Sequence, residues 1–149
     1  MVTVRAASRD DTAVWLEMRR DLWPDDAAEE HRAEIERYFS GAAPTIHMVL
    51  VAVDADDAPA GFAELSLRPY AEGCTTSPVA YLEGWYVTPM ARGAGVGGAL
   101  IAAAEEWGRS RGCSEFASDT EVDNDVSARA HLALGFEDVG FVRCFRKPL

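Results

Sequence analysis

Glu83-Gly84-Trp85-Tyr86-Val87-Thr88-Pro89-Met90-Ala91-Arg92-Gly93-Ala94-Gly95-Val96-Gly97-Gly98 joins two kinds of pattern in one stretch. Up to Val87 the apolar and aromatic residues read as a strand, and Pro89 interrupts it. From Val96 onward Leu100, Ile101, Ala104 and Trp107 recur at helical spacing, so the glycine-rich turn opens a helix. A helix start carries backbone N–H groups with no partner inside the helix and the positive end of its aligned peptide dipoles, which together attract anions. The glycines of the turn let a phosphate reach that backbone without Cβ collisions, and Arg92 adds a fixed cation. The segment reads as a pyrophosphate cradle attached to a strand.

Spacing separates the common phosphate loops. A P-loop ends in Gly-Lys-Ser/Thr, whereas the sole lysine of this chain is Lys147. Gly93-x-Gly95-x-x-Gly98 fits the dinucleotide fingerprint literally. However, four to five strand candidates precede or include the turn, and too little chain follows it for a doubly wound sheet. A glycine-rich helix start with no ligand stays open as the plain alternative.

The 149 residues suit one domain, residues 1–149, with a single core. The longest apolar stretch, Ile46 to Val53, is far too short to span a membrane, and Met1-Val2-Thr3-Val4-Arg5 lacks a signal-peptide core. The expectation is a soluble, cytoplasmic protein with no membrane partner. Cys74, Cys113 and Cys144 are odd in number and have no Cys-x-x-Cys spacing, so neither a disulfide framework nor a metal site is expected. A net charge of −11 argues against nucleic acid, whose binding rests on Lys and Arg, and favours a cationic partner.

Outward from the cradle, Val2 to Ala6 alternates like a first strand, and Ser8 caps a helix with Val14, Trp15, Met18 and Leu22 on one face. Trp23-Pro24-Asp25-Asp26 breaks it, and a charged helix follows to Phe39, closed by Gly41. Ile46 to Val53 and Gly61 to Leu67 read as a hairpin turning at Asp54-Ala55-Asp56-Asp57, followed by a polar loop from Arg68 to Pro78 and a strand from Val79 to Val87. After the cradle helix, Cys113 to Ala117 reads as a short buried strand, Asn124 to Leu134 as a helix and Phe141 to Arg146 as a terminal strand. This order predicts an α/β (α+β) three-layer fold, with a mixed, mainly antiparallel sheet and helices on both faces.

Val87, Pro89, Arg92, Gly95 and Gly97 spell V-x-P-x-x-R-x-x-G-x-G, which resembles the acetyl-CoA signature of the GNAT superfamily of N-acetyltransferases. Leu22-Trp23-Pro24-Asp25, Thr76 to Gly84 and Phe116-Ala117-Ser118-Asp119 are similar to the aminoglycoside 6'-N-acetyltransferases, so the resemblance runs nearly the whole length. It implies the GNAT fold, acetyl-CoA as co-substrate, no metal, and a cationic aminoglycoside as acceptor. It also implies that the backbone of Trp85, Tyr86 and Val87 pairs with the pantetheine arm. Arg92, Gly93, Ala94, Gly95, Val96, Gly97 and Gly98 would hold the diphosphate, and Asn124 would bind the coenzyme besides capping its helix. Similar enzymes form homodimers by exchanging the terminal strand.

Acetyl transfer to an amine requires loss of the amine's proton, stabilisation of the thioester oxygen and juxtaposition of the two substrates. An alkylammonium has a pKa near 10, about that of lysine, and is unreactive at neutral pH until a base takes its proton. Glu83, on the strand that enters the cradle, is the leading base candidate, acting through water; the plain alternative is an exposed strand carboxylate or an ion-pair partner. Asp119, after the next strand, joins it in binding ammonium groups; by residue type alone it is an ordinary cap or turn residue. Trp23 and Tyr70 match the family's aromatic substrate walls, and loop aromatics also serve as lids over a core. Two departures stand out. Gly140 and Cys144 occupy places where similar enzymes carry an acid and a tyrosine, so Glu137 or Asp138 is left to supply the carboxylate and water to protonate the leaving thiolate. Rival readings are an acetyltransferase of another small amine such as a polyamine, and a non-catalytic acyl-CoA binder.

Overall fold

The computed structural model describes residues 1–42 and 45–149. Residues 1–118 form one compact unit and residues 119–149 a second. The first unit holds a five-stranded sheet in the order β1-β2-β3-β4-β5. Its strands are β1 (Thr3–Ala6), β2 (Met48–Val53), β3 (Pro59–Arg68), β4 (Val79–Val87) and β5 (Phe116–Ser118). The first four pair as an antiparallel meander, and β5 runs parallel to β4. A parallel pair needs a crossover, and helix α3 (Val96–Ser110) supplies it.

Side chains alternate faces along a strand, so β3 shows how the layers form. Phe62 clusters with Trp15 and Met18 of α1 (Thr12–Leu22) and Ile35 of α2 (Ala28–Ser40), and Glu64 accepts a bond from Trp15. Gly61, out of phase with them, faces α3, where an added Cβ would stand 3.3 Å from the Leu100 side chain. Helices therefore cover both faces of the mainly antiparallel sheet, as the residue pattern implies.

Several boundaries differ from expectation for local reasons. Ser8 precedes a 3-10 turn, Arg9–Asp11, and its N–H donates to Asp11 Oδ2 at 2.8 Å, so the regular helix starts only at Thr12. Gly41 closes α2 at φ 71° as its position predicts. The short strand is Phe116–Ser118, half-buried rather than the buried Cys113 to Ala117, because Cys113 still belongs to the turn that closes α3, with its N–H on Gly108 O at 3.0 Å.

The second unit contains α4 (Asp125–Ala133), and no further helix or strand follows it among the described residues. Phe141 to Arg146 is not a strand here. A strand exists only where its N–H and C=O groups meet a partner strand, and this segment joins no ladder among the described residues. Among the described residues no helix is long and apolar enough to cross a membrane.

Candidate active site

The β3–β4 ladder contains one irregularity, and it falls on Glu83. Glu64 pairs with Gly84 and Leu65 with Leu82, so Glu83 is the extra residue of a β-bulge. The bulge breaks the alternation of β4 and turns Glu83 toward the face that carries Glu64, Ser66 and Arg68. Its Oε2 accepts from Ser66 Oγ at 2.5 Å and Arg68 Nε at 2.9 Å, and its Oε1 accepts from Arg68 Nη2 at 2.7 Å. A carboxylate offers about four lone-pair sites, so acceptor capacity remains. The Arg68 guanidinium also lies 3.6 Å from the centroid of the Tyr81 ring, which fixes the fork that orients Glu83.

Glu83 and Trp23 line one cavity of about 410 Å³, together with Glu34, Glu64, Ser66, Arg68 and His47. Trp23 ends α1 and is held from three sides. Its carbonyl meets His31 Nε2 at 3.2 Å, the Arg19 guanidinium stands 4.8 Å from its ring, and the ring edge occupies the space a Cβ on Gly84 would need, 2.6 Å away. Arg19 Nε donates to His31 Nδ1 at 3.1 Å, so His31 carries its proton on Nε2 and donates to the Trp23 carbonyl. His47 Nδ1 likewise accepts from the Leu67 N–H at 3.1 Å, which leaves Nε2–H as a donor on a side chain that lines the cavity.

Behind the cavity, Arg19 and Glu64 form an ion pair at 2.5 Å with both side chains buried. Burial pushes the Glu64 carboxyl above the usual carboxylate range, and Arg19 and the Trp15 N–H only partly offset it. Tyr70 is exposed and donates to Glu72 at 3.2 Å; it is not among the residues lining this cavity.

Eight residues, Gly84 to Ala91, separate the bulge from Arg92, where the cradle begins. The β4–β5 ladder ends at Leu82 and Ser118, whereas pairing with β3 continues to Val87. The side of β4 next to β5 is therefore outside the ladder beyond Leu82. Tyr86 turns its ring into the α1–α2 core, where its hydroxyl donates to Asp21 at 3.2 Å, so its contribution on the cradle side is backbone only. The Trp85 indole lies 3.2 Å from where a Cβ on Gly97 would sit, so the first turn of α3 rests directly on that ring. Gly95 caps α3 at φ 80°, a left-handed conformation that other residues adopt only with strain. The first helical bond runs from Ala99 N to Gly95 O, so the amides of Val96, Gly97 and Gly98 precede it and are available to an anion. Arg92 Nε donates to Val87 O at 3.3 Å, holding an exposed guanidinium beside exposed Gly93 and Ala94. This cradle fits a diphosphate. Among the described residues no cluster of His, Cys, Asp or Glu is placed to hold a metal ion.

In the second unit, Asp119 is the exposed residue immediately after β5. Asn124 caps α4, its Oδ1 accepting from Ser127 N at 3.1 Å. The sequence reading missed Arg68, Ser66, Glu64, Glu34 and His47. A signal existed for three of them: Glu64, Ser66 and Arg68 alternate as the polar positions of an otherwise apolar strand.

Comparison with known proteins agrees with this geometry. The model of the Acetyltransferase (GNAT) family matches residues 13–136. An aminoglycoside N(6')-acetyltransferase type 1 of Klebsiella aerogenes is 56% identical over 98% of this chain and 96% of its own length. Its counterpart in Stenotrophomonas maltophilia is 43% identical over 99% and 94%. Among solved structures, AAC(6')-Iy in complex with the bisubstrate analog CoA-S-monomethyl-acetylneamine superposes with a TM-score of 0.91 at 37% identity, covering 100% of this chain and 99% of that one.

Proposed function

The chain belongs to the acetyltransferase (GNAT) family, and from that premise we infer that it moves an acetyl group from acetyl-CoA to the 6'-amine of an aminoglycoside. The observation that carries this reading is the arrangement of β4, which holds a bulged carboxylate at one end of the stretch from Glu83 to Val87 and leads into an anion cradle at the other. Bound acetyl-CoA supplies a thioester carbonyl open to attack by an amine.

The amides of Val96, Gly97 and Gly98 and the guanidinium of Arg92 hold the diphosphate, with Gly93, Ala94 and Gly95 shaping the turn. The backbone of Trp85, Tyr86 and Val87 aligns the pantetheine arm along the side of β4 beyond the β5 ladder, and the Val87 amide polarises the thioester oxygen. Glu83, directly or through a water, takes the proton of the acceptor ammonium, and the amine attacks without a covalent enzyme intermediate. Arg68 and Ser66 keep the Glu83 carboxylate oriented. Trp23 packs against a ring of the acceptor, Tyr70 adds a second wall, Asp119 is an anionic ligand of its ammonium groups, and Asn124 reaches the coenzyme.

We read the entire chain as one catalytic domain, since the family match runs through both units. The acetyl donor is an intracellular metabolite and the net charge of −11 opposes nucleic acid, so the working place is the cytoplasm and the partner a small cation. A homodimer is the working form. Support comes from the tail, where Phe141, Val142 and Phe145 stay exposed in the single chain although their pattern is that of a strand.

Purified protein incubated with acetyl-CoA and kanamycin or tobramycin should release free thiol, with kcat/KM above about 10⁴ M⁻¹s⁻¹ and well above that for spermidine. Turnover of polyamines alone would move the assignment to another amine. Coenzyme binding by calorimetry without any thiol release would make the chain a binder. Replacing Glu83 by Gln should lower kcat about 100-fold or more while leaving the Kd for coenzyme A unchanged.

A further inference from the structure

We propose that the buried line of Glu64, Arg19 and His31 is a positioning device for Trp23, so that His31, which does not line the acceptor cavity, sets the affinity for the acceptor without touching it. The proposal rests on Trp23 being a wall of the acceptor site, as read above.

His31 is 1% exposed, Glu64 2% and Arg19 6%, so all are almost wholly withdrawn from water. They are joined end to end. Glu64 Oε2 accepts from Arg19 Nη1 at 2.5 Å, Arg19 Nε donates to His31 Nδ1 at 3.1 Å, and His31 Nε2 donates to the Trp23 carbonyl at 3.2 Å. The line starts on β3, crosses α1 and α2, and ends where α1 stops. A buried ion pair is a weak source of stability, because lost hydration offsets its attraction, and apolar residues of similar volume often serve a core as well or better. Stability alone therefore does not account for it. Directional hydrogen bonds do what apolar packing does not: in a dry interior they hold one group in one orientation.

That group is Trp23, gripped by backbone and by ring. As the cap residue of α1 it has φ −124° and ψ 71°, outside the helical region, so the helix does not set its course. Its carbonyl is held by His31 and by the Asp26 N–H at 3.3 Å. Its ring stacks on the His31 imidazole, with centroids 6.3 Å and planes 20° apart, and the Arg19 guanidinium stands 4.8 Å from it. The Cη2 edge of the ring meets β4, 2.6 Å from where a Cβ on Gly84 would sit, and Gly84 directly follows the bulged Glu83. The spacing between the aromatic wall and the carboxylate proposed as base is thus set from the core side. Loss of the line leaves Glu83, Ser66 and Arg68 bonded as before and frees only the wall.

Kanamycin is the probe, with calorimetry on protein saturated with coenzyme A and kinetics with acetyl-CoA. In His31→Leu its Kd and KM should rise about tenfold, while kcat and the Kd for coenzyme A stay within about twofold. His31→Gln, whose amide accepts from Arg19 and donates to the Trp23 carbonyl, should recover the parent Kd to within about twofold. Arg19→Lys keeps the counter-charge of Glu64 but cannot bridge Glu64 and His31 from two nitrogens; it should raise the Kd about threefold or more, and it decides the matter where His31→Leu fails to fold. In a Trp23→Ala background His31→Leu should shift the Kd by less than about twofold, because no ring remains to be positioned. A Kd within about twofold of the parent in the deciding variant overturns the proposal, as does a shift as large without Trp23 as with it, or a fall in kcat at unchanged Kd. A parent protein that binds kanamycin without acetylating any 6'-amino compound retires the acetyl-transfer reading and leaves the Kd comparison to decide this one. A parent that binds no aminoglycoside overturns both.

Discussion

Aromatic residues meet opposite fates in the two units of this chain. Trp15 and Phe62, in the first unit, are 0% exposed, while Phe141 and Phe145, in the second, are 79% and 87% exposed. The first unit closes on itself: α1 and α2 seal one face of the sheet, α3 the other, and even the buried Arg19 and Glu64 find partners inside it. The tail buries almost none of its apolar surface. The difference separates a unit that covers its own apolar residues from one that leaves them exposed, which is the support for the proposed homodimer.

The most severe way to break this comparison is to cut into the closed unit. Trp15→Ala should cost about 3–5 kcal/mol, by loss of packing against Met18, Ile35 and Phe62 and of a donor to buried Glu64. Chemical denaturation measures it, and a loss below about 1 kcal/mol would mean that the cluster is not the core it looks to be. Phe145→Asp should act differently. Its single-chain stability should stay within about 0.5 kcal/mol of the parent, while sedimentation shows a dimer constant weakened about 100-fold. Equal destabilisation at every protein concentration would show instead that the tail packs within its own chain.

The smallest effect concerns acid. Arg5 bonds Asp11 at 2.7 Å and 2.9 Å and holds its carboxyl below the usual carboxylate range. A depressed carboxyl adds stability above its unfolded value and loses it as pH falls through the lowered folded value. Arg5→Gln should therefore lower stability at neutral pH by less than about 1 kcal/mol, since Arg5 is half exposed, and the difference should vanish once pH has fallen through the lowered folded value of Asp11. Glu64 has the opposite sign. Its raised value favours the folded chain while the carboxyl is protonated, and that contribution declines as pH rises from the usual carboxylate range through the raised value.

Much of the fold was legible because period and punctuation agree. The strand Val79–Val87, the start of α3 after Gly95 and the stop of α2 at Gly41 all follow from local chemistry. The glycine turn that opens α3 was legible for the same reason, since it is one contiguous segment. Arg68 and Glu64 were not, because their importance arises from register: Glu64 comes opposite Gly84, and the side chain of Arg68, opposite Val79, reaches Glu83, only once β3 and β4 have paired with a bulge. Nor does periodicity reveal that Phe141 to Arg146 lacks a ladder, because an apolar pattern says that a segment can pair and not with what.

The bulge has a consequence for how this protein can be altered. Glu83 is the one residue of β4 that the ladder skips, so excising it would restore plain alternation between Leu82 and Gly84 and leave every cross-strand pair matched. Architecture and reactivity are thus separable at a single codon: an in-frame loss there would yield a folded, coenzyme-loading scaffold stripped of the proton acceptor proposed for it. A drug-modifying catalyst and a silent receptor for the same donor stand one deletion apart.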